Sequence, residues 1–285
     1  MLWLIFALLS AFFTGANSIF HRVIMLKEDT MSYACIFQYL AALFFIPFLI
    51  GEFAIPSEIF AWALVVIASA LWAIESFVAF EAFTHIPISI RAPMDQIKLV
   101  FILILSVLLL SESLLIEKII GTILIFIGVF MLTYEKQRWF AGFANKGVKF
   151  IFISAFVYSL VAIVDKAALN YFTAGTYGFM VFLFPAMILT PFLRKKKSEV
   201  KQLFKQSWLV MIGAVVLSIF AFYFRLKAFS LAESSMVFPI TRLGILISVL
   251  SGIIFLKERK YVGRKIVAAI IAIIGASLIA GAFNF

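Results

Sequence analysis

The sequence has few charged residues and little that could support catalysis. Charged residues make up 13% of 285 positions, where a soluble domain carries roughly a quarter. It has one cysteine, Cys35, which excludes an intramolecular disulfide, and its two histidines do not lie at metal-ligand spacing. The motifs His-Glu-x-x-His and Gly-x-Ser-x-Gly are absent. We therefore predict no enzymatic activity, no metal and no cofactor.

Hydrophobic residues make up 65% of the chain, and its mean hydropathy is +1.16. Apolar stretches of about 20 residues recur from end to end, each long enough to cross ~30 Å of hydrocarbon as a helix. The first stretch lacks the basic segment and cleavage site of a signal peptide, so we expect it to remain as a helix. The prediction is an all-α membrane protein with ten transmembrane helices, at residues 2–21, 31–50, 59–82, 88–110, 118–134, 148–170, 175–193, 208–228, 234–256 and 262–282.

Basic residues concentrate in four connections between these spans and give a net charge of +10. In a soluble protein that charge would suggest nucleic-acid binding, but basic residues between membrane spans determine which way the protein is oriented in the membrane. All four connections lie on one side of the membrane, so the positive-inside rule places both termini outside the cytoplasm. The predicted location is the cell membrane of a prokaryote. The run from Arg194 to Lys205 could also bind anionic lipid or nucleic acid, although a short basic cytoplasmic loop is its commoner meaning. We expect no nucleic-acid partner.

The two halves of the chain repeat each other. Residues 144 or 146 positions apart match, including Pro47 with Pro191, Trp62 with Trp208, Pro93 with Pro239, and Glu112 with Glu258. The match predicts a five-helix repeat at 1–135, a basic connecting loop at 136–147 and a second five-helix repeat at 148–285. Because each half has an odd number of helices, the two repeats are inverted in the bilayer. Such symmetry allows a cavity to open alternately to either side of the membrane.

Polar residues inside the predicted spans are costly in lipid, so they indicate a substrate path. Lys98 and Arg242 lie near the bilayer midplane, and Asp95 lies one helical turn from Lys98. The two cations favour a carboxylate or phosphate group, and aromatic rings could hold an apolar or cationic portion. The predicted substrate is an amino acid, a similar zwitterion or an organic anion. The substrate-binding candidates are Asn17, Trp72, Asp95, Lys98, Tyr158 and Arg242.

Other polar and small residues receive different roles. Glu75 and Asp95 are candidates for proton coupling, because a carboxyl group out of water can bind a proton unless a cation holds it ionised; Glu75 has no cation near it in sequence. The eighth span adds Ser218, Tyr223 and Arg225, but charges near span ends, such as Arg225 and Asp165, can simply reach the headgroups. The repeated prolines Pro93 and Pro239 favour a hinge. Small residues in the fifth and tenth spans predict close-packed scaffold helices, at Gly121, Gly128, Ala268, Ala272, Ala276 and Ala280.

The chain has two predicted sets of five helices, prolines at matching positions, and an acid at matching positions, Glu112 in "LLLSESL" and Glu258 in "IFLKERK". In these features it resembles the ten-helix EamA-like members of the drug/metabolite transporter superfamily. The resemblance implies a central cavity lined by the first, third, fourth, sixth, eighth and ninth helices. The small four-helix relatives carry a glutamate in their first helix that is missing here, so their proton-antiport scheme cannot be transferred. Ten-helix members commonly have cytoplasmic termini, opposite to the charge distribution of this chain.

The predicted function is secondary active transport of a small metabolite by alternating access. Three alternatives stay open: a flippase for lipid-linked intermediates, a channel, and an exporter of drugs or toxic metabolites. The expected partners are a small-molecule substrate and the lipid bilayer, with proton coupling and a homodimer both compatible with the sequence.

Overall fold

The computed structural model describes residues 1–25, 28–85, 95–133, 146–194, 196–246 and 262–280. These ranges contain eleven helices and no strand. The helices are α1 (Leu2–Met25), α2 (Thr30–Gly51), α3 (Ile59–His85), α4 (Ile97–Leu110), α5 (Ile116–Thr133), α6 (Lys146–Ala168), α7 (Ala174–Leu193), α8 (Lys197–Gln206), α9 (Trp208–Leu231), α10 (Ser234–Thr241) and α11 (Val262–Ile279).

A helix lies at each of the ten predicted spans, and the all-α membrane class is confirmed. Within the described ranges, five helices are long and apolar enough to cross a bilayer: α2, α3, α6, α7 and α9. Shorter apolar helices occupy Leu2–Asn17, Ile97–Leu110, Ser234–Leu246 and Ile266–Ile279. A count of ten crossings and the inversion of the two halves stay predictions. Pro93, the first hinge candidate, lies outside the described residues.

The basic run before α9 is a helix, where the sequence predicted a loop. Its residues are mostly good helix formers, and α8 buries Leu203 while Lys197, Lys201 and Lys205 are exposed at helical spacing. Two contacts tie this region to the connection between α1 and α2: Lys196 pairs with Asp29 at 2.6 Å, and the Ser207 hydroxyl donates to Glu28. We call this end of the bundle, where α8 lies, the basic end.

The main helix contacts join the first half of the chain to the second. Helix α1 packs on α9, α3 on α6, α2 on α7 and α5 on α11, while α4 contacts α6 and α10 contacts α1. The core lies along these interfaces and includes large buried side chains such as Tyr33, Phe45, Tyr177 and Phe229. A space therefore forms where α1, α2, α3, α6, α7 and α9 meet.

Helices α5 and α11 approach each other at backbone distance, as their small residues predicted. A Cβ atom added at Gly121 would lie 2.6 Å from the carbonyl oxygen of Gly275, and one at Gly128 would lie 2.6 Å from that of Ala268. Side chains at these positions would separate the helices.

Helix α10 is interrupted shortly after its proline. Pro239 lies in its last turn, α10 ends at Thr241, and helical structure resumes at 244–246. Backbone hydrogen bonds across the interruption span three residues, from Leu243 to Ile240 and from Leu246 to Leu243. Tightened turns within a helix often mark a hinge. The hinge role of Pro239 stays a prediction.

Candidate functional site

A cavity of about 310 Å³, the central cavity, lies between α1, α2, α3, α6, α7 and α9. Small-molecule sites begin near ~300 Å³ and combine apolar walls with a few placed polar groups. The central cavity has this composition. Its lining residues are Thr14, Asn17, Tyr33, Ala34, Phe37, Gln38, Trp72, Glu75, Ser76, Tyr158, Val181, Phe182, Ser218, Ala221, Phe222 and Arg225.

Aromatic rings form one continuous part of the wall. The Trp72 ring on α3 meets Tyr158 and Phe222 edge-on, with both centroid distances at 5.9 Å. Phe222 in turn meets Phe182 of α7 at 5.0 Å. Edge-to-face packing holds each ring in place, and all four residues line the cavity. Trp72 and Tyr158 line the central cavity, and their role in substrate binding stays a prediction.

Two amides supply polar groups to the wall. The Asn17 amide nitrogen donates to the Ser218 hydroxyl at 2.5 Å, and that of Gln38 donates to the Ser76 hydroxyl at 3.1 Å. Asn17 Oδ1 and Gln38 Oε1 are buried and accept no hydrogen bond from any described residue. Buried acceptors are normally satisfied, and both amide side chains line the cavity, so a small rotation of either one would let its oxygen accept a hydrogen bond from a ligand.

Glu75 forms an ion pair with Lys98, although no cation lies near it in sequence. Lys98 Nζ lies 3.8 Å from Glu75 Oε1 and 3.5 Å from Asp95 Oδ1, and the Ser154 hydroxyl donates to Glu75 at 3.1 Å. Lys98 also lies over the Tyr158 ring, 4.6 Å from its centroid. Glu75 lines the cavity, whereas Lys98 and Asp95 lie behind its wall. The lysine therefore acts on the cavity through Glu75 and Tyr158.

Arg225 is a second charged element of the wall. Its Nη2 lies 3.9 Å from Asp165 Oδ2, and its Nη1 donates to the Tyr158 hydroxyl. The buried Asp165 also accepts a 2.7 Å hydrogen bond from Tyr177. The Arg225 guanidinium lies 4.8 Å from the centroid of the Phe222 ring. Both charges have partners inside the bundle.

Three of the six predicted substrate residues line the central cavity: Asn17, Trp72 and Tyr158. Arg242 lies beside the cavity, 5.7 Å from the Tyr158 centroid and 4.4 Å from that of Phe238. Sequence reasoning missed Gln38 and Phe222. Gln38 carried a usable signal, a lone amide within an apolar span, whereas Phe222 is one of 35 phenylalanines and carried none.

A larger, more open cavity of about 580 Å³, the second cavity, lies at the end of the bundle opposite the basic end. It is lined by Ile50, Gly51, Glu52, Phe53, Phe172, Thr173, Ala174, Lys227 and Ser230. Partial burial raises the pKa of Glu52, but hydrogen bonds from Lys227, Tyr223 and the Gly175 amide outweigh it and hold that pKa below its usual range. Glu52 therefore stays ionised at neutral pH.

Comparison with known proteins gives three findings. The model of a family described as "Sugar transport protein" matches residues 5–283. "Putative sugar uptake protein lmo0169" of Listeria monocytogenes serovar 1/2a (strain ATCC BAA-679 / EGD-e) is 26% identical over 247 residues, which cover 81% of this chain and 84% of that protein. A crystal structure of a protein at 13% identity superposes with a TM-score of 0.73 over 97% of this chain and 94% of the other, which shows a shared fold.

These findings confirm the prediction of a membrane transporter. They do not test the narrower resemblance to EamA-like proteins, which stays a prediction. They also give no support to an amino acid as the substrate.

Proposed function

The chain belongs to the sugar transport protein family, and from this premise we propose that it moves a neutral sugar across the membrane through the central cavity. The observation that carries the proposal is the combination of aromatic faces with unfilled hydrogen-bond acceptors in one cavity. Sugar hydroxyls donate hydrogen bonds, and the C–H faces of a sugar ring pack against aromatic rings. Asn17 and Gln38 would accept the hydroxyls, and Trp72, Tyr158 and Phe222 would hold the ring.

The charges of the cavity wall favour a neutral substrate over the predicted zwitterion. Arg225 is the one cation among the described lining residues, and it already pairs with Asp165. Lys98 is enclosed by two carboxylates. A substrate carboxylate would therefore compete with partners inside the protein, and each buried charge left without its partner would cost several kcal/mol.

Helix packing supports transport by alternating access. If the halves are related as the sequence repeat predicts, the contact of α1 with α9 corresponds to that of α6 with α3, and α4 with α6 corresponds to α10 with α1. Both members of each pair of contacts are present. An exchange of conformation between the halves would then open the central cavity to the other side.

A transport assay with a matched pair of tryptophan variants tests the proposed function. We expect proteoliposomes to take up one or more sugars from a radiolabelled panel, and Trp72→Ala to lower uptake below saturation about tenfold, the factor that ~1.4 kcal/mol of lost binding energy produces. Trp208→Ala is the control, because Trp208 lies exposed at the start of α9. The same panel includes amino acids, organic anions and a fluorescent lipid. Uptake of those without any sugar would replace the proposal with the zwitterion carrier or the flippase.

Proton coupling at Glu75 is a separate proposal with its own test. Glu75 faces the cavity and pairs with Lys98, so protonation of its carboxyl group would break a buried ion pair next to the substrate. If Glu75 carries the proton, sugar uptake by Glu75→Gln will no longer respond to an imposed pH gradient, while sugar exchange without a gradient persists. A variant that keeps its full response to the gradient would remove Glu75 and leave Asp95 as the remaining candidate.

A further inference from the structure

The second cavity has no role in the proposed function, yet a continuous set of contacts connects it to the central cavity. Phe182 and Phe222 line the central cavity, and Phe45 of α2 lies 5.7 and 6.5 Å from their ring centroids. Phe45 is fully buried and contacts Tyr223 at 6.2 Å. Tyr223 then packs on Phe48 at 4.3 Å. These three residues, Phe45, Phe48 and Tyr223, form an aromatic plug between the two cavities.

A single carboxylate holds the plug from the side of the second cavity. Glu52 Oε1 accepts a 2.7 Å hydrogen bond from the Tyr223 hydroxyl and pairs with Lys227 Nζ at 2.5 Å. Glu52 Oε2 accepts from the Gly175 amide at 3.1 Å. One side chain thereby joins α2, α7 and α9, the helices whose separation would open the central cavity at this end.

The wall of the second cavity offers the chemistry that binds a sugar. The Glu52 and Lys227 side chains are partly exposed, and the Ser230 hydroxyl is exposed. Phe53, 62% exposed, supplies an aromatic ring beside them. Carboxylate, ammonium and hydroxyl groups all form hydrogen bonds with sugar hydroxyls, and an ion pair exposed to solvent is weak enough to be exchanged.

We propose that the second cavity is a second substrate-binding site on the same path, where sugar hydroxyls replace Lys227 at Glu52 and so release the aromatic plug. The proposal rests on the proposed function, because the ligand is the sugar that the central cavity carries. It assigns the entry or exit of sugar at this end to Glu52, Lys227 and Tyr223.

Protection of introduced cysteines by sugar distinguishes the two sites. Cys35 is the sole cysteine and is buried, so Cys35→Ala provides a background without thiols. Ser218→Cys then reports on the central cavity and Ser230→Cys on the second cavity. With a membrane-impermeant thiol reagent and the sugar that the transport panel identifies, we expect saturating sugar to slow labelling about tenfold at both positions. Protection at Ser218→Cys alone would overturn the second site, and protection at neither would overturn the passage of that sugar through the central cavity as well.

Access through the plug is tested without sugar. In the Cys35→Ala background, reagent added on the side of the second cavity should label Ser218→Cys slowly, and adding Lys227→Met should raise that rate at least severalfold. Tyr223→Phe removes only the hydroxyl bond to Glu52 and should raise it less, which keeps the test valid if the lysine variant folds poorly. Lys205→Met, exposed on α8 at the other end, is the control. Equal labelling rates in all four proteins would overturn the plug.

Discussion

Replacement of Lys98 by methionine is expected to abolish sugar uptake and to destabilise the folded protein by about 3–5 kcal/mol, the cost of leaving buried charges without their partner. Lys98 is 5% exposed and is shared by Glu75 and Asp95, at 3.8 and 3.5 Å. Its removal leaves the buried Glu75 carboxylate without its cation and takes one contact from Asp95. It also removes the cation that lies over Tyr158 and thus alters the cavity wall. Thermal unfolding in detergent and uptake in proteoliposomes measure the two effects.

Two further variants separate a loss of charge balance from a general defect. Lys149→Met removes an exposed lysine at the start of α6 and should leave both readouts unchanged. Adding Glu75→Gln to Lys98→Met removes one uncompensated charge and should recover part of the lost stability, because neighbouring residues couple. A Lys98→Met protein as stable as its parent would show that the ion pairs of Lys98 with Glu75 and Asp95 do not stabilise the fold.

The same glycine-to-alanine change is expected to have opposite effects at two positions in the scaffold helices. In an ordinary helix, alanine is favoured over glycine by roughly 1 kcal/mol. At Gly121, however, the new Cβ would lie 2.6 Å from a backbone oxygen of α11, which cannot move without moving its helix. We expect Gly121→Ala to lower the free energy of unfolding by about 1–3 kcal/mol, in the range measured for overpacked interiors.

Gly263 is the matched control within the same pair of helices. It lies in the first turn of α11, and a Cβ added there would meet no atom of the described residues within 4 Å. Gly263→Ala should therefore be neutral or stabilising in the same thermal unfolding assay. If Gly121→Ala were equally harmless, α5 and α11 would not be as close as their contacts indicate.

Hydrophobic length was sufficient to predict where the helices lie, because it is a property of each span by itself. Helix α8 was not predicted, because its lysines were interpreted only as charges of a loop. Their spacing around the buried Leu203 is a helical pattern, visible in the sequence once the run is treated as amphipathic.

The candidate site was only partly predictable, because a sequence gives depth along a span but not which helix stands opposite. Asn17, Trp72 and Tyr158 were found because polar or aromatic groups at mid-span are conspicuous. The partner of Glu75 was not found, since Lys98 lies on another helix and more than twenty residues away in sequence. For Arg225 the sequence left a position at the headgroups open for the same reason: its partner Asp165 is on α6, and only the packing brings them together.

The interruption of α10 leaves a helix end beside Arg242, an arginine within an apolar stretch of the sequence. The last carbonyl groups of a helix carry roughly half a negative charge, and a cation there gains about 0.3–1 kcal/mol or more when partly buried. Arg242 is the residue that caps this end of α10, with its amide bonded to the carbonyls of Phe238 and Pro239. The guanidinium lies 4.4 Å from the centroid of Phe238, a residue of α10 itself. A cation beside this end of α10 is favoured by the helix macrodipole, so the backbone of the protein contributes to the electrostatic stabilisation of Arg242.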